Sequence, residues 1–202
     1  MLEQAVSQTK TWLDQGINIG AVAVNIAGPQ ITKEDLTEKV KSVLKRYELP
    51  PQHLALELTE TFIMTNEDTI RHLQQLSELG VELAIDDFGT GYSSLSYLKK
   101  LPVHKLKIDK SFISDIGIDT DDMAICRTII ALSENLGLCV LAEGVETMAQ
   151  SQYLQQHGCI QVQGYGYSKP LPASELEAFY YSWTCQHRSE PHSSVSEGVT
   201  QH

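Results

Sequence analysis

The sequence has no apolar stretch approaching the roughly 20 residues that a membrane-spanning helix requires. Its mean hydropathy is slightly negative, so no membrane segment is expected. The opening residues, Met1-Leu2-Glu3-Gln4-Ala5, contain no basic region followed by an apolar run. A secretory signal is therefore not expected, and the cytoplasm is the expected compartment. Cysteine is scarce: Cys126, Cys139, Cys159 and Cys185 show no C-x-x-C spacing. Three of the four sit in apolar segments, which suits reduced, buried thiols better than disulfides or a zinc site. Basic residues are few as well. Fifteen Lys and Arg against 26 Asp and Glu leave a net charge of -11, which argues against nucleic acid polymers, whose phosphates need clustered cations. No G-x-x-x-x-G-K-[ST] phosphate loop occurs. Such an acid surplus either keeps the chain in solution or gathers around cations, and the positions of the acids decide which.

What is present is a chain of 202 residues, 42% hydrophobic, enough for one domain with a full core. Short runs of β-branched and aliphatic residues alternate with longer stretches of helical period, which predicts βα units and a parallel sheet. Six strands are expected: Ala21 to Ile26, Leu54 to Leu58, Glu82 to Asp86, Lys105 to Ile108, Cys139 to Ala142 and Ile160 to Gly164. Helices are expected over Met1 to Gln15, Thr69 to Leu79 and Met123 to Leu136, the last two closed by Gly80 and Gly137 as left-handed caps. Six βα strands fit an open doubly wound sheet, or a (β/α)8 barrel short of its first two strands and of the usual length of about 250 residues. Ser174 to Trp183 reads as a final helix. The domain is expected over residues 1–183, with 184–202, rich in Ser and His, as a disordered tail.

The informative feature is what ends each strand. The first delivers Asn25, the second Glu57 and then Glu60, and the third Asp86 and Asp87. The fourth carries Lys107 and Asp109, the fifth delivers Glu143 and Glu146, and the sixth Gln163. In parallel α/β folds the C-terminal strand ends share one mouth, where active sites are built. Carboxylates gathered there repel one another unless something positive sits among them. Oxygen-only donors suit hard cations such as Mg²⁺ or Mn²⁺, and the adjacent Asp86 and Asp87 fit a two-metal site of the kind that attacks phosphodiesters. Any single one of these acids also reads as a helix N-cap. Lys107 reads either as a buried counter-ion to the cluster or as a surface lysine.

The run Asp86-Asp87-Phe88-Gly89-Thr90-Gly91-Tyr92-Ser93-Ser94-Leu95 follows a strand and precedes a helix, with Ser93 or Ser94 as cap. It forms a flexible loop over the mouth. The competing dinucleotide fingerprint G-x-G-x-x-G lacks its third glycine, since Ser94 stands there, and two acids precede it where phosphate would lie.

Taken in order, Val24-Asn25-Ile26, Glu57-Leu58-Thr59-Glu60, the Asp86 to Leu95 run, Leu106-Lys107-Ile108-Asp109, Ala142-Glu143-Gly144-Val145-Glu146-Thr147 and Gln163-Gly164-Tyr165 resemble the successive motifs of EAL domains, from about Leu2 to Tyr181. That resemblance implies a TIM-like barrel with one antiparallel strand, and metal-dependent hydrolysis of cyclic di-GMP to linear pGpG. It implies Asn25, Glu57, Asp86, Asp87 and Glu143 as metal ligands, Asp86 being shared between two cations. Lys107 is implied to orient the attacking water, and Glu143 is a candidate general base. Glu60 is implied as the anchor of the loop made of Phe88, Gly89, Thr90, Gly91, Tyr92 and Ser93. Asp109, Glu146 and Gln163 are implied as supporting contacts. Two departures stand out: the family's own Glu-Ala-Leu, which lies on an earlier strand, does not occur before Asn25, and Ala27 replaces a usual serine. Loss of a ligand implies impaired catalysis, so the alternative is a non-catalytic EAL protein that binds cyclic di-GMP or a partner. Free edges on an incomplete barrel imply self-association or a partner domain, with Val22, Val24, Ile160 and Val162 exposed.

Overall fold

Alternating aliphatic and polar residues place one side of a strand against a core and the other away from it. In the computed structural model of this chain, six strands form in this way. The structure describes residues 1–31, 35–63, 67–91 and 95–187. The elements are α1 (Leu2–Asp14), β1 (Val22–Asn25), α2 (Gly28–Ile31), α3 (Asp35–Tyr47), a 3₁₀ turn (Pro51–His53), β2 (Leu54–Thr59), α4 (Glu60–Ile63) and α5 (Glu67–Glu78). They continue as β3 (Glu82–Phe88), α6 (Leu95–Leu98), β4 (Lys105–Ile108), α7 (Lys110–Ser114), α8 (Thr120–Leu136), β5 (Cys139–Glu143), α9 (Met148–Gln156), β6 (Gln161–Gln163) and α10 (Ala173–His187). Every expected strand is present, its ends shifted by at most two residues. Gly80 and Gly137 take left-handed φ of 88° and 68° after α5 and α8, as a helix C-cap requires.

The strands pair in chain order, β1-β2-β3-β4-β5-β6, and all five pairings are parallel. A doubly wound sheet reverses its strand order at a switch point; this one never does. It winds in one direction and curls as a half-barrel of the TIM type. The antiparallel strand that the resemblance implies is not among the six.

The two faces of the sheet differ. Leu54, Leu56 and Leu58 of β2, Leu83 and Ile85 of β3, and Leu106 and Ile108 of β4 are fully buried. They share one core with Leu73 and Leu76 of α5 and Ile129 and Ile130 of α8, each side chain contributing roughly 1.5–3 kcal/mol. The intervening residues, Ala55 and Glu57, Ala84 and Asp86, and Lys105 and Lys107, face the concave side. That lining is largely polar, with Lys105 paired to Glu82 at 3.2 Å.

Several expectations need correction. Val24 is buried in the core, Val22 and Val162 are half-buried, and of the four apolar edge residues only Ile160 is exposed, at 77%. α1 contacts β1 and contributes Val6 to the same core as Val24. All four cysteines are free, but Cys139 and Cys185 are exposed, leaving Cys126 and Cys159 as the buried thiols. α10 belongs to a second compact unit that begins at Pro170, and it runs to His187, so residues 184–187 are helical rather than tail. The remainder of the expected tail, 188–202, lies outside the described residues. No helix among the described residues is long and apolar enough to cross a membrane.

Candidate active site

The register sets two pairs of strand-end residues side by side, with a stagger between them: Asp86 of β3 lies opposite Thr59, two residues beyond Glu57. Asn25 of β1 lies opposite Glu57 of β2, and Glu143 of β5 lies opposite Gln163 of β6. Lys107 settles which of its two readings holds: it is 4% exposed, and its Nζ donates to Glu57 Oε1 at 2.8 Å, Asp86 Oδ1 at 2.9 Å and Glu143 Oε1 at 2.7 Å. Burial by itself would lower the pKa of this ammonium. The hydrogen bonds to Glu143, Glu57 and Asp86 outweigh it and hold the pKa above the ordinary lysine value, so the group is a fixed cation. Burial pushes the Glu143 carboxyl up, and the Asp86 and Glu57 charges push the same way against the pull of Lys107.

Asp86 and Asp87 both serve this mouth because the strand breaks its pleat between them. Ile85 pairs with Leu106 and Phe88 with Ile108, so three steps on β3 match two on β4. This is a bulge, which re-aims the side chains that flank it. Asp87 absorbs it with a left-handed φ of 54°, rare for a residue other than glycine, and its N–H donates to Asp86 Oδ1 at 3.1 Å. Burial, followed by the neighbouring Asp86 and Asp109 charges, raises the Asp87 pKa. Asp109 caps α7 by accepting from Ser111 N–H at 2.9 Å. Although burial acts upward on Asp109, the Ser111 hydrogen bonds bring it below the usual carboxylate value.

Glu60 is 3% exposed, and its Oε2 accepts from Gly89 N–H at 2.9 Å and Gly91 N–H at 3.1 Å. The loop is held from beneath by this one carboxylate. Gly91 fits closely there: a Cβ would stand 3.0 Å from the Glu60 carboxyl carbon and press that side chain back by a few tenths of an ångström. Thr90 Oγ1 donates to the Asp87 carbonyl at 2.8 Å, closing the turn, and Phe88 is buried. Tyr92 and Ser93, and the Ser93 or Ser94 cap, lie outside the described residues. Asn25 and Gln163 are exposed at the strand ends. Glu146 and Gln163 line a depression of about 260 Å³ beside Glu143. Lys110, Gly164 and Tyr165 line the same depression, and Gln150 is buried; the sequence assigned none of the four a role at the site. Gly164 and Tyr165 stand in the Gln163-Gly164-Tyr165 motif and Gln150 in the Thr147-x-x-Gln150 capping box, while Lys110 left no local signal.

Asp86, Asp87 and Glu143 each offer an oxygen within 4.8 Å of the others. That donor set and spacing fit a divalent cation, and the buried Lys107 shows independently that the cluster is built around positive charge.

The chain matches the family described as the EAL domain over residues 1–170. It is 45% identical over 179 residues to the bifunctional diguanylate cyclase/cyclic di-GMP phosphodiesterase MucR of Pseudomonas aeruginosa, covering 88% of this chain and 26% of that protein. It spans about a quarter of the length of the curated relatives it matches. Among solved structures it is similar to the PaMucR phosphodiesterase in its c-di-GMP complex, at 45% identity and a TM-score of 0.84, over 87% of this chain and 71% of that one. It is also similar to the manganese/cy-diGMP complex of Klebsiella pneumoniae BlrP1, at 33% identity and a TM-score of 0.74, over 84% of this chain and 44% of that one. With that match running along the whole one-way sheet and its acidic mouth, the chain belongs to the EAL domain family.

Proposed function

We propose that the protein is a cyclic di-GMP phosphodiesterase that opens one phosphodiester bond to give linear pGpG, with Mg²⁺ or Mn²⁺ at the acidic mouth. The observation that carries this reading is the buried Lys107 ammonium held by Glu57, Asp86 and Glu143 within 2.9 Å, with Asp87 beside them. Asp86, Asp87 and Glu143 are the residues that would hold cations, with Glu57 and Asn25 alongside. Such cations, when bound, supply Lewis acidity and offset charge building on the scissile phosphate. Glu143, whose carboxyl is pushed up by burial, is suited to take the proton of an attacking water. Lys107 orients that water and keeps the carboxylates from repelling one another. Glu60 fixes the loop over the mouth, while Asp109, Glu146 and Gln163 support the rim. The cyclic di-GMP assignment rests on the names of the relatives.

The test is conversion of cyclic di-GMP to pGpG, followed by chromatography with Mn²⁺, with Mg²⁺ and with EDTA. Metal-dependent turnover that is lost in Glu143→Ala with nucleotide binding retained supports the reading; turnover that survives Glu143→Ala removes the base assignment. A second reading, a non-catalytic cyclic di-GMP-binding or partner-binding protein, is favoured by one observation: the Lys107 ammonium can itself neutralise Glu57, Asp86 and Glu143. Nucleotide binding in EDTA with no turnover in either metal would select it.

A further inference from the structure

The loop that follows Glu143, the last residue of β5, carries Glu146 and is irregular backbone. Buried Gln150, in the first turn of α9, reaches back under it. Gln150 Oε1 accepts from both Glu146 N–H and Thr147 N–H, each at 2.9 Å, and its Nε2 donates to the Ile113 carbonyl at 3.0 Å. Ile113 lies in α7, the helix that Asp109 caps at the end of β4, and the Asp109 carboxyl is near enough to Asp87 to raise its pKa. One amide therefore joins the loop that follows Glu143 and bears Glu146 to the helix that Asp109 caps. From the other side, Val145 N–H donates to the Gln163 carbonyl at 3.0 Å and Gly166 N–H to the Val145 carbonyl at 2.9 Å.

We infer that Gln150 is a positioning residue for Glu143: it fixes the loop after β5 against α7, so that the carboxylates of β3, β4 and β5 keep one geometry at the mouth. The local capping role of Gln150 needs only the bond to Thr147 N–H. The bonds to Glu146 and to Ile113, 37 residues away, go beyond any cap. An isosteric apolar side chain would fill the same space and leave two loop N–H groups without an acceptor. Loss of such outer supports in metal-type sites lowers activity about 10–100-fold. The inference rests on the phosphodiesterase reading for its kinetic half and on geometry alone for its structural half.

The experiment compares the full chain with Gln150→Met and Gln150→Glu by amide hydrogen exchange and by cyclic di-GMP turnover in Mn²⁺. For Gln150→Met, exchange at Glu146 and Thr147 is expected to rise at least about tenfold, while Gly89 and Gly91, held by Glu60, keep their protection. Turnover is expected to lose about tenfold in kcat with KM within about threefold. Gln150→Glu keeps acceptor oxygens for both amides but has no donor for the Ile113 carbonyl. It is therefore expected to restore protection at Glu146 and Thr147 while kcat stays about tenfold low; full recovery of kcat would show that the link to α7 is not needed and overturn the staple. Exchange that rises equally throughout the chain would make Gln150 a general folding residue and overturn the inference, as would released amides with unchanged kcat. If the unsubstituted chain turns over no cyclic di-GMP, the phosphodiesterase reading falls, and the exchange pattern by itself upholds or overturns the staple.

Discussion

Replacing Lys107 by methionine removes the cation that the structure places among Glu57, Asp86 and Glu143 while keeping nearly the same volume. Three carboxylates are then left facing one another in a site where Lys107 was 4% exposed. Breaking a buried pair by deleting one partner costs about 3–5 kcal/mol. For a domain of this size each kcal/mol lowers Tm by about 2–4 °C, so a fall of roughly 6–20 °C is expected in EDTA at pH 7. The pH dependence has a definite sign. Because the folded pKa of Lys107 is raised, its stabilisation is fully present below the unfolded lysine value and is lost only as pH rises through the higher folded value. In the variant the crowded carboxyls resist ionising, so their folded pKa values rise and the penalty appears as pH climbs above the unfolded carboxylate range. The gap between the two proteins should therefore widen from about pH 4 to pH 7 and then level off. Added Mn²⁺ should recover part of the variant's lost Tm by supplying the missing charge. Scanning calorimetry across pH measures all of this, and a fall under about 2 °C that is flat with pH would refute the buried counter-ion.

Four further outcomes follow from the same geometry. Mn²⁺ or Mg²⁺ should raise the Tm of the unsubstituted chain by mass action, and Asp86→Asn with Asp87→Asn should abolish that rise; a full rise in the double variant would move the cation elsewhere. At pH 8 an aromatic disulfide reagent should label Cys139 and Cys185 quickly and leave Cys126 and Cys159 unlabelled. Burial pushes those two thiols up to about 11, leaving about one thiolate in a thousand; four fast thiols would contradict the packing. Gly164→Ala should lower stability by more than about 2 kcal/mol, because its Cβ would lie 2.2 Å from the Val145 carbonyl oxygen; an unchanged urea midpoint would show that the two loops part easily. Since among the described residues β1 and β6 each pair on one side only, light scattering is expected to show reversible self-association, and a concentration-independent monomer would sink that expectation.

Much of this arrangement was legible because strand ends are punctuated. Asn25, Glu57, Asp86, Glu143 and Gln163 each terminate an aliphatic run, and parallel strands present such residues at one mouth whatever the helices do. The direction of winding was not legible, since six βα units fit two topologies and only the pairing of β1 through β6 separates them. Nor was the state of Lys107, because an alternation of lysine and aliphatic residues reads the same whether the polar side meets water or carboxylates. The bulge at Asp86 and the left-handed Asp87 depend on a register against β4 that no local signal encodes. Val24 read as an edge residue because the packing of α1 could not be seen from β1. Gln150 stood in a recognisable capping box, but its bond to Ile113 spans 37 residues and belongs to tertiary structure.

The bulge has a consequence for any attempt to move this chemistry to another protein. Neighbouring residues on a regular strand look in opposite directions, so a transplanted Asp-Asp pair would send one acid into the new host's hydrophobic interior. The pair is usable only together with the extra residue, the left-handed backbone at Asp87 and the shifted pairing with β4 that tolerates it. The portable unit is thus a local irregularity rather than a dipeptide, and a search for unrelated sites of this type does better to look for out-of-step strands than for adjacent aspartates.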